Sequence, residues 1–200
     1  MTCMKTGIRR AAAFVVVALF LPVSTIAAAP PTVVLDDLLL ERNGSGIREM
    51  LWIDIYEAAL YLPSNRLAEF RRSDTLTLDA DTPAAFRIEL LIGEVPSITA
   101  KWRDIFERHM SPAQLARLEA AYDRLGKGDV ILFHYRPGIG TVIAMNAESS
   151  ERADGSGLMA ELLAQWVGPD PVSRDLRAEL MGHSRADVSA RRVEYNDRRR

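Results

Sequence analysis

Arg48, Trp52 and Tyr56 recur at every fourth position of an apolar stretch. In an extended chain alternate side chains share a face, so this spacing puts all three on one side. A guanidinium beside a phenol holds an enolate, phenolate or carboxylate through charge-assisted hydrogen bonds. Lys101 and Trp102, at the start of a helical stretch, could close the opposite side. The competing reading pairs Arg48 with Asp54 and packs both rings as ordinary core.

Other familiar chemistry finds no constellation. His109, His134 and His183 are dispersed and none belongs to a His-Glu-x-x-His helix, so no metal site is expected. There is no G-x-S-x-G elbow or P-loop, and Gly138-Ile139-Gly140 lacks the third glycine and the following helix of a dinucleotide loop. No cofactor is expected. With 25 Lys and Arg against 27 Asp and Glu, the chain does not read as a nucleic-acid binder.

Those side chains need elements to position them. Asn43–Gly46 reads as a glycine turn leading into one long central strand that Pro63 ends. The turn explains Asn43-Gly44-Ser45 better than a glycosylation sequon does. Along that strand Ile47, Leu51, Ile53 and Ile55 form an aliphatic, core-facing side, and Arg48, Met50, Trp52, Asp54 and Tyr56 line a cleft or half-exposed side. Before the turn, Pro30–Leu35 becomes a short strand. After Pro63 come a helix over Asn65–Arg72 and strands at Thr75–Asp79 and Ala85–Ile92, with Asp81-Thr82-Pro83 turning between them.

From Ile98 the period turns helical, with Ile98, Trp102, Ile105 and His109 in one stripe. Ser111-Pro112-Ala113-Gln114 has the capping-box pattern and starts a second helix carrying Leu115, Leu118, Tyr122 and Leu125. Strands follow at Asp129–Tyr135 and Gly140–Met145 around a Pro/Gly connection. A helix spans Gly157–Val167, and a last one is capped by Ser173 and ended by Gly182. Residues 185–200 are charged, with little to bury, and are expected to be a disordered tail.

Residues 1–29 have the three parts of an export leader: Lys5, Arg9 and Arg10, an apolar run over Ala11–Leu21, and small residues ending at Ala29. The run is shorter than the roughly 18 residues of a membrane span and Pro22 breaks it, so no stable span is expected once the leader is removed. Cys3, the only cysteine, would leave with it, giving a thiol-free mature chain suited to an oxidising compartment. The expected location is the periplasm. About 170 residues remain, enough for one domain.

The order of elements and three blocks of residues resemble the chalcone isomerase-like family, in particular its exported bacterial members. The blocks are Gly44-Ser45-Gly46-Ile47-Arg48 with Ile55-Tyr56-Glu57-Ala58-Ala59-Leu60-Tyr61-Leu62-Pro63, then Arg136-Pro137-Gly138-Ile139-Gly140-Thr141, then Gln165-Trp166-Val167-Gly168 with Val172-Ser173-Arg174-Asp175-Leu176. The resemblance implies an α+β fold over residues 30–184, a large antiparallel β-sheet with a helical layer packed on one face, in the manner of an open-faced sandwich. A ligand cleft lies between the layers. It places the family's catalytic arginine near Gly44 or Ser45, its threonine at Tyr56, its tyrosine near Ile98 and its asparagine near Ile105. Lys101 matches a family lysine and Gln165 a polar position at the end of the late helix.

The expectation is an exported, non-catalytic member that binds a small apolar, anionic, fatty-acid-like ligand. Its binding set is Arg48, Trp52, Tyr56, Lys101, Trp102 and Gln165. One alternative is an isomerase or intramolecular lyase acting on a chalcone-like unsaturated carbonyl compound, with Arg48, Tyr56 and Lys101 as its catalytic groups. The other is an envelope module that binds a protein partner. The sequence assigns no oligomeric state.

Overall fold

The computed structural model describes residues 28–73, 78–184 and 186. The expected leader up to residue 27 with Cys3, and the expected tail apart from Ala186, lie outside them. Among the described residues, seven strands form one antiparallel sheet in simple chain order: β1 (Thr32–Leu35), β2 (Leu38–Met50), β3 (Ile53–Leu62), β4 (Ala84–Leu90), β5 (Val130–Arg136), β6 (Gly140–Met145) and β7 (Glu148–Ala153). Five helices accompany it among the described residues: α1 (Ser64–Arg72), α2 (Ala100–His109), α3 (Pro112–Tyr122), α4 (Gly157–Val167) and α5 (Arg174–Leu180).

The main correction concerns the long central strand. Asn43–Gly46 is not a turn but runs straight through β2, and the chain reverses at Leu51-Trp52 instead, with Met50 paired to Ile53. Both turn residues have positive φ, 50° and 66°, the geometry of a two-residue type I′ hairpin. Asparagine and glycine usually fill such a turn, which is why this one was invisible. Leu51 and Ile53, expected in the core, are 77% and 56% exposed.

The glycines of the misread turn serve packing. A Cβ on Gly44 would lie 2.0 Å from the Glu179 carbonyl oxygen, and one on Gly46 would strike the Glu179 side chain. Their absence lets α5 lie directly on β2. Asn43, between the paired Arg42–Tyr61 and Gly44–Leu60, is an extra residue in the ladder. Its buried amide donates to the Leu180 carbonyl at 2.7 Å, satisfying an orphan acceptor at the end of α5.

The helix-facing core contains Ala58, Leu60 and Leu62 of β3, Phe86 and Ile88 of β4, Ile131 and Phe133 of β5, and Leu158, Leu162 and Trp166 of α4. Each fully buried large apolar side chain contributes about 1.5–3 kcal/mol. A smaller cluster on the opposite face joins Ala29, Leu35, Leu40, Ala59, Tyr61 and Ala85, with Val33, Leu38 and Leu132 against it. The sheet curls enough for Arg136 of β5 to reach both Asp36 and Asp37 in the β1–β2 turn.

The capping box at Ser111 and Gln114 forms, Thr99 and Ser173 cap α2 and α5, and α4 has the bounds its sequence predicts. Ile98 lies before α2 rather than on it. Of the expected strand at Thr75–Asp79, residues 75–77 are outside the described set, and Leu78 and Asp79 are not in a strand. Strand β7 was not expected, because Glu148–Ala153 has no apolar alternation.

Candidate functional site

The β2–β3 hairpin sets Arg48 directly across from Tyr56 on neighbouring strands. Cross-strand partners share a face, so the two groups come together even though the strand reading that joined them was wrong. Beyond them the register shifts, since Arg48 opposes Tyr56 whereas Glu49 opposes Asp54, leaving Ile55 as a bulge.

A cavity of about 400 Å³ opens here between the sheet and the helices. Ile88, Leu90 and Ile131 form its sheet wall, Trp102, Tyr122 and Trp166 its helix wall, and Arg48, Tyr56, Lys101 and Gln165 its polar groups. That size and largely apolar lining are typical of small-molecule sites. Trp102 meets Trp166 at 5.5 Å, Phe133 at 5.8 Å and Tyr122 at 6.5 Å between ring centroids, all edge to face. Interlocked rings of this kind hold the wall rigid.

Trp166 ties the wall to the polar end. Its indole N–H donates to the Tyr56 hydroxyl at 2.8 Å. The phenol thereby serves as acceptor and keeps its own proton to donate. Burial pushes the Tyr56 pKa above its ordinary value, outweighing the opposing pull of the Trp166 bond and the Arg48 charge. The hydroxyl therefore stays protonated at neutral pH.

Arg48 is partly buried and makes no hydrogen bond or ion pair among the described residues. The alternative pairing with Asp54 does not form. Lys101 is exposed at the cavity rim, while Trp102 is partly buried. Gln165 is buried and donates through Nε2 to the Glu161 carbonyl at 3.3 Å, leaving Oε1 without a partner. Trp52 is the exception in the predicted set: it caps the hairpin turn, is 90% exposed, and takes no part in the cavity lining. Sequence reasoning missed Tyr122 and the role of Trp166. The latter directly follows Gln165, but nothing in its spacing points to Tyr56 110 residues earlier.

A second concavity, about 490 Å³, lies between α3 and the β6–β7 hairpin and is rimmed by Arg117, Arg124, Glu148 and Glu151. Arg117 is already engaged with Glu151 at 2.6 Å, so these two charges are paired with each other. It contains none of the predicted residues.

No group of His, Cys, Asp and Glu suited to a metal occurs among the described residues. His109 pairs with Glu161 at 2.9 Å, beside Arg108, and the hydrogen bond from Arg108, with a smaller one from His109, holds the Glu161 carboxyl below its usual range. No helix among the described residues is long and apolar enough to cross a membrane.

Comparison with solved structures finds an Arabidopsis thaliana fatty-acid binding protein with a TM-score of 0.55 and 15% identity, covering 81% of this chain and 94% of that one. At that identity the likeness is one of fold. No curated protein matches. The family profile described as chalcone isomerase-like matches residues 23–182, a span that takes in every strand and helix above. The chain belongs to the chalcone isomerase-like family.

Proposed function

We propose that this protein binds a small amphiphilic acid, apolar in its tail and anionic at its head, without transforming it. The observation that carries this reading is Arg48: a cation with no ion pair among the described residues, on the lining of an apolar cavity, directly across from a phenol that keeps its proton. A carboxylate takes charge-assisted hydrogen bonds from both. The tail then lies among Ile88, Leu90, Ile131, Trp102 and Trp166, where apolar burial supplies most of the affinity. Lys101 at the rim adds favourable charge, and the Gln165 acceptor would satisfy a ligand hydroxyl. The fatty-acid binding neighbour supports a ligand of this class.

Packing at Gly44 favours binding over catalysis. The resemblance puts the catalytic arginine near Gly44 or Ser45, yet the Glu179 carbonyl leaves no room for any side chain at position 44. The protein acts after export, with the leader ahead of the domain removed.

Native mass spectrometry of protein purified from its own host tests the reading. A co-purified acid of the fatty-acid class supports it. Sustained turnover of a chalcone that disappears in Arg48→Ala would replace it with the isomerase reading.

A further inference from the structure

A buried carboxylate on the face of the sheet away from the ligand cavity is left half satisfied. Glu57 of β3 is 6% exposed. Its Oε1 accepts from the Ala29 backbone nitrogen at 3.0 Å, and its Oε2 is buried without a hydrogen-bond partner. It forms no salt bridge among the described residues. Its neighbour across the strand pair, Glu89, is taken by Arg87 at 2.6 Å. The Arg42 guanidinium, also close by, goes to the Ala29 carbonyl. A carboxylate out of water with a single neutral donor is costly, and one unsatisfied buried oxygen in a native fold needs an explanation.

The explanation lies in where Ala29 falls. It is 2% exposed and packs in the small cluster with Leu40, Ala59 and Tyr61. The next residues are pinned as firmly. The Tyr61 hydroxyl donates to the Pro30 carbonyl at 3.0 Å, and the Arg42 amide donates to the Pro31 carbonyl at 2.8 Å. The fold thus grips the chain from Ala29 onward, at the small-residue end of an export leader.

We infer that the mature chain begins at Ala29, one residue earlier than the leader bounds of 1–29 expected from the sequence, and that its new α-ammonium is the counter-ion of Glu57. A leader peptidase adds water across the Ala28–Ala29 bond. The C–N bond breaks, Ala28 leaves as a carboxylic acid with the leader, and the Ala29 amine takes up a proton at neutral pH. One amide N–H becomes an ammonium with three, enough to serve both Glu57 oxygens, and the neutral hydrogen bond becomes a buried ion pair. Cleavage one residue later would discard Ala29 from the cluster and leave Pro30, whose nitrogen is not the one at Glu57. Processing is then coupled to folding: the uncleaved chain lacks the charge that the Glu57 site is built to receive. The inference rests on removal of the leader and is independent of what the cavity holds.

The test begins with the full chain expressed with its leader in an exporting bacterial host, followed by intact-mass and N-terminal analysis of the exported product. The expected first residue is Ala29; a product starting elsewhere overturns the inference. Denaturant unfolding is then compared for the mature chain with a free Ala29 amine and with that amine acetylated, each as wild type and as Glu57→Gln. Acetylation is expected to lower the wild-type folding constant roughly 10- to 100-fold and to change the Glu57→Gln constant little. An equal loss in both backgrounds, or none in either, overturns the pairing.

Discussion

Trp166 on α4 and Tyr56 on β3, 110 positions apart in sequence, meet at the end of the ligand cavity, indole N–H to phenol oxygen at 2.8 Å. That one bond couples the helical layer to the strand that carries the polar head of the site. Because both rings are largely buried, neither is replaced by water at low cost.

Tyr56→Phe removes the acceptor and strands the Trp166 N–H inside the cavity wall. It is expected to destabilise the protein by about 1–3 kcal/mol, the cost of an unsatisfied buried donor. Trp166→Phe in the Tyr56→Phe background should cost less than the two single changes summed. Chemical denaturation of the four chains forms the double-mutant cycle that measures this coupling.

Alkali should unfold the protein through its buried phenols. Burial raises the Tyr56, Tyr61 and Tyr122 hydroxyls, with Tyr61 pushed up to about 12. A raised folded pKa means that the stabilisation is complete below the unfolded value, about 10, and is lost as pH climbs toward the folded value. Stability measured from pH 9 upward should therefore fall steeply between about pH 10 and 12. The ultraviolet signal of phenolate should lag behind that of the unfolded chain.

Gly44→Ala places a methyl group against the Glu179 carbonyl, a backbone atom that cannot rotate away. A loss of about 3 kcal/mol is expected, with α5 displaced from β2. Hydrogen exchange should show the change concentrated in α5 and in the Asn43–Leu180 contact.

Replacing Leu51-Trp52 by Asn-Gly should stabilise the fold. The left-handed backbone costs roughly 1 kcal/mol per residue for side chains such as these. Leu51 and Trp52 are 77% and 90% exposed, so little packing is lost in exchange. A rise in melting temperature with unchanged ligand affinity is expected, because Trp52 does not line the cavity.

Much of this fold was legible where a local rule and the tertiary structure agree. Ser111 and Gln114 form their capping box, Gly157–Val167 is the helix its apolar rows require, and Pro63 does end a strand. The misreadings share a physical cause, local signals overruled by packing. Asn43–Gly46 has turn chemistry but serves the approach of α5, while the true turn is made by two apolar residues with no turn propensity. Strand β7 escaped because Arg117 and Glu151 stabilise it from a neighbouring helix, which a search for alternation does not detect. In the site, the face shared by Arg48 and Tyr56 survived because the extra residue Ile55 restores the parity that a two-residue hairpin reverses: Glu49 opposes Asp54, but past the bulge Arg48 opposes Tyr56. Trp52 did not survive, since the residue at a hairpin tip belongs to neither face.

The central claim is that Arg48 holds the anionic head of an amphiphilic ligand inside the cavity. Calorimetric titration of wild type and Arg48→Ala with a long-chain fatty acid and with the uncharged alcohol of the same length tests it most directly. Wild type should prefer the acid, and Arg48→Ala should lose about 10- to 100-fold in affinity for the acid while binding the alcohol as before, the range expected for a hydrogen bond to a charged group. Equal affinity of wild type and Arg48→Ala for the acid would contradict the account.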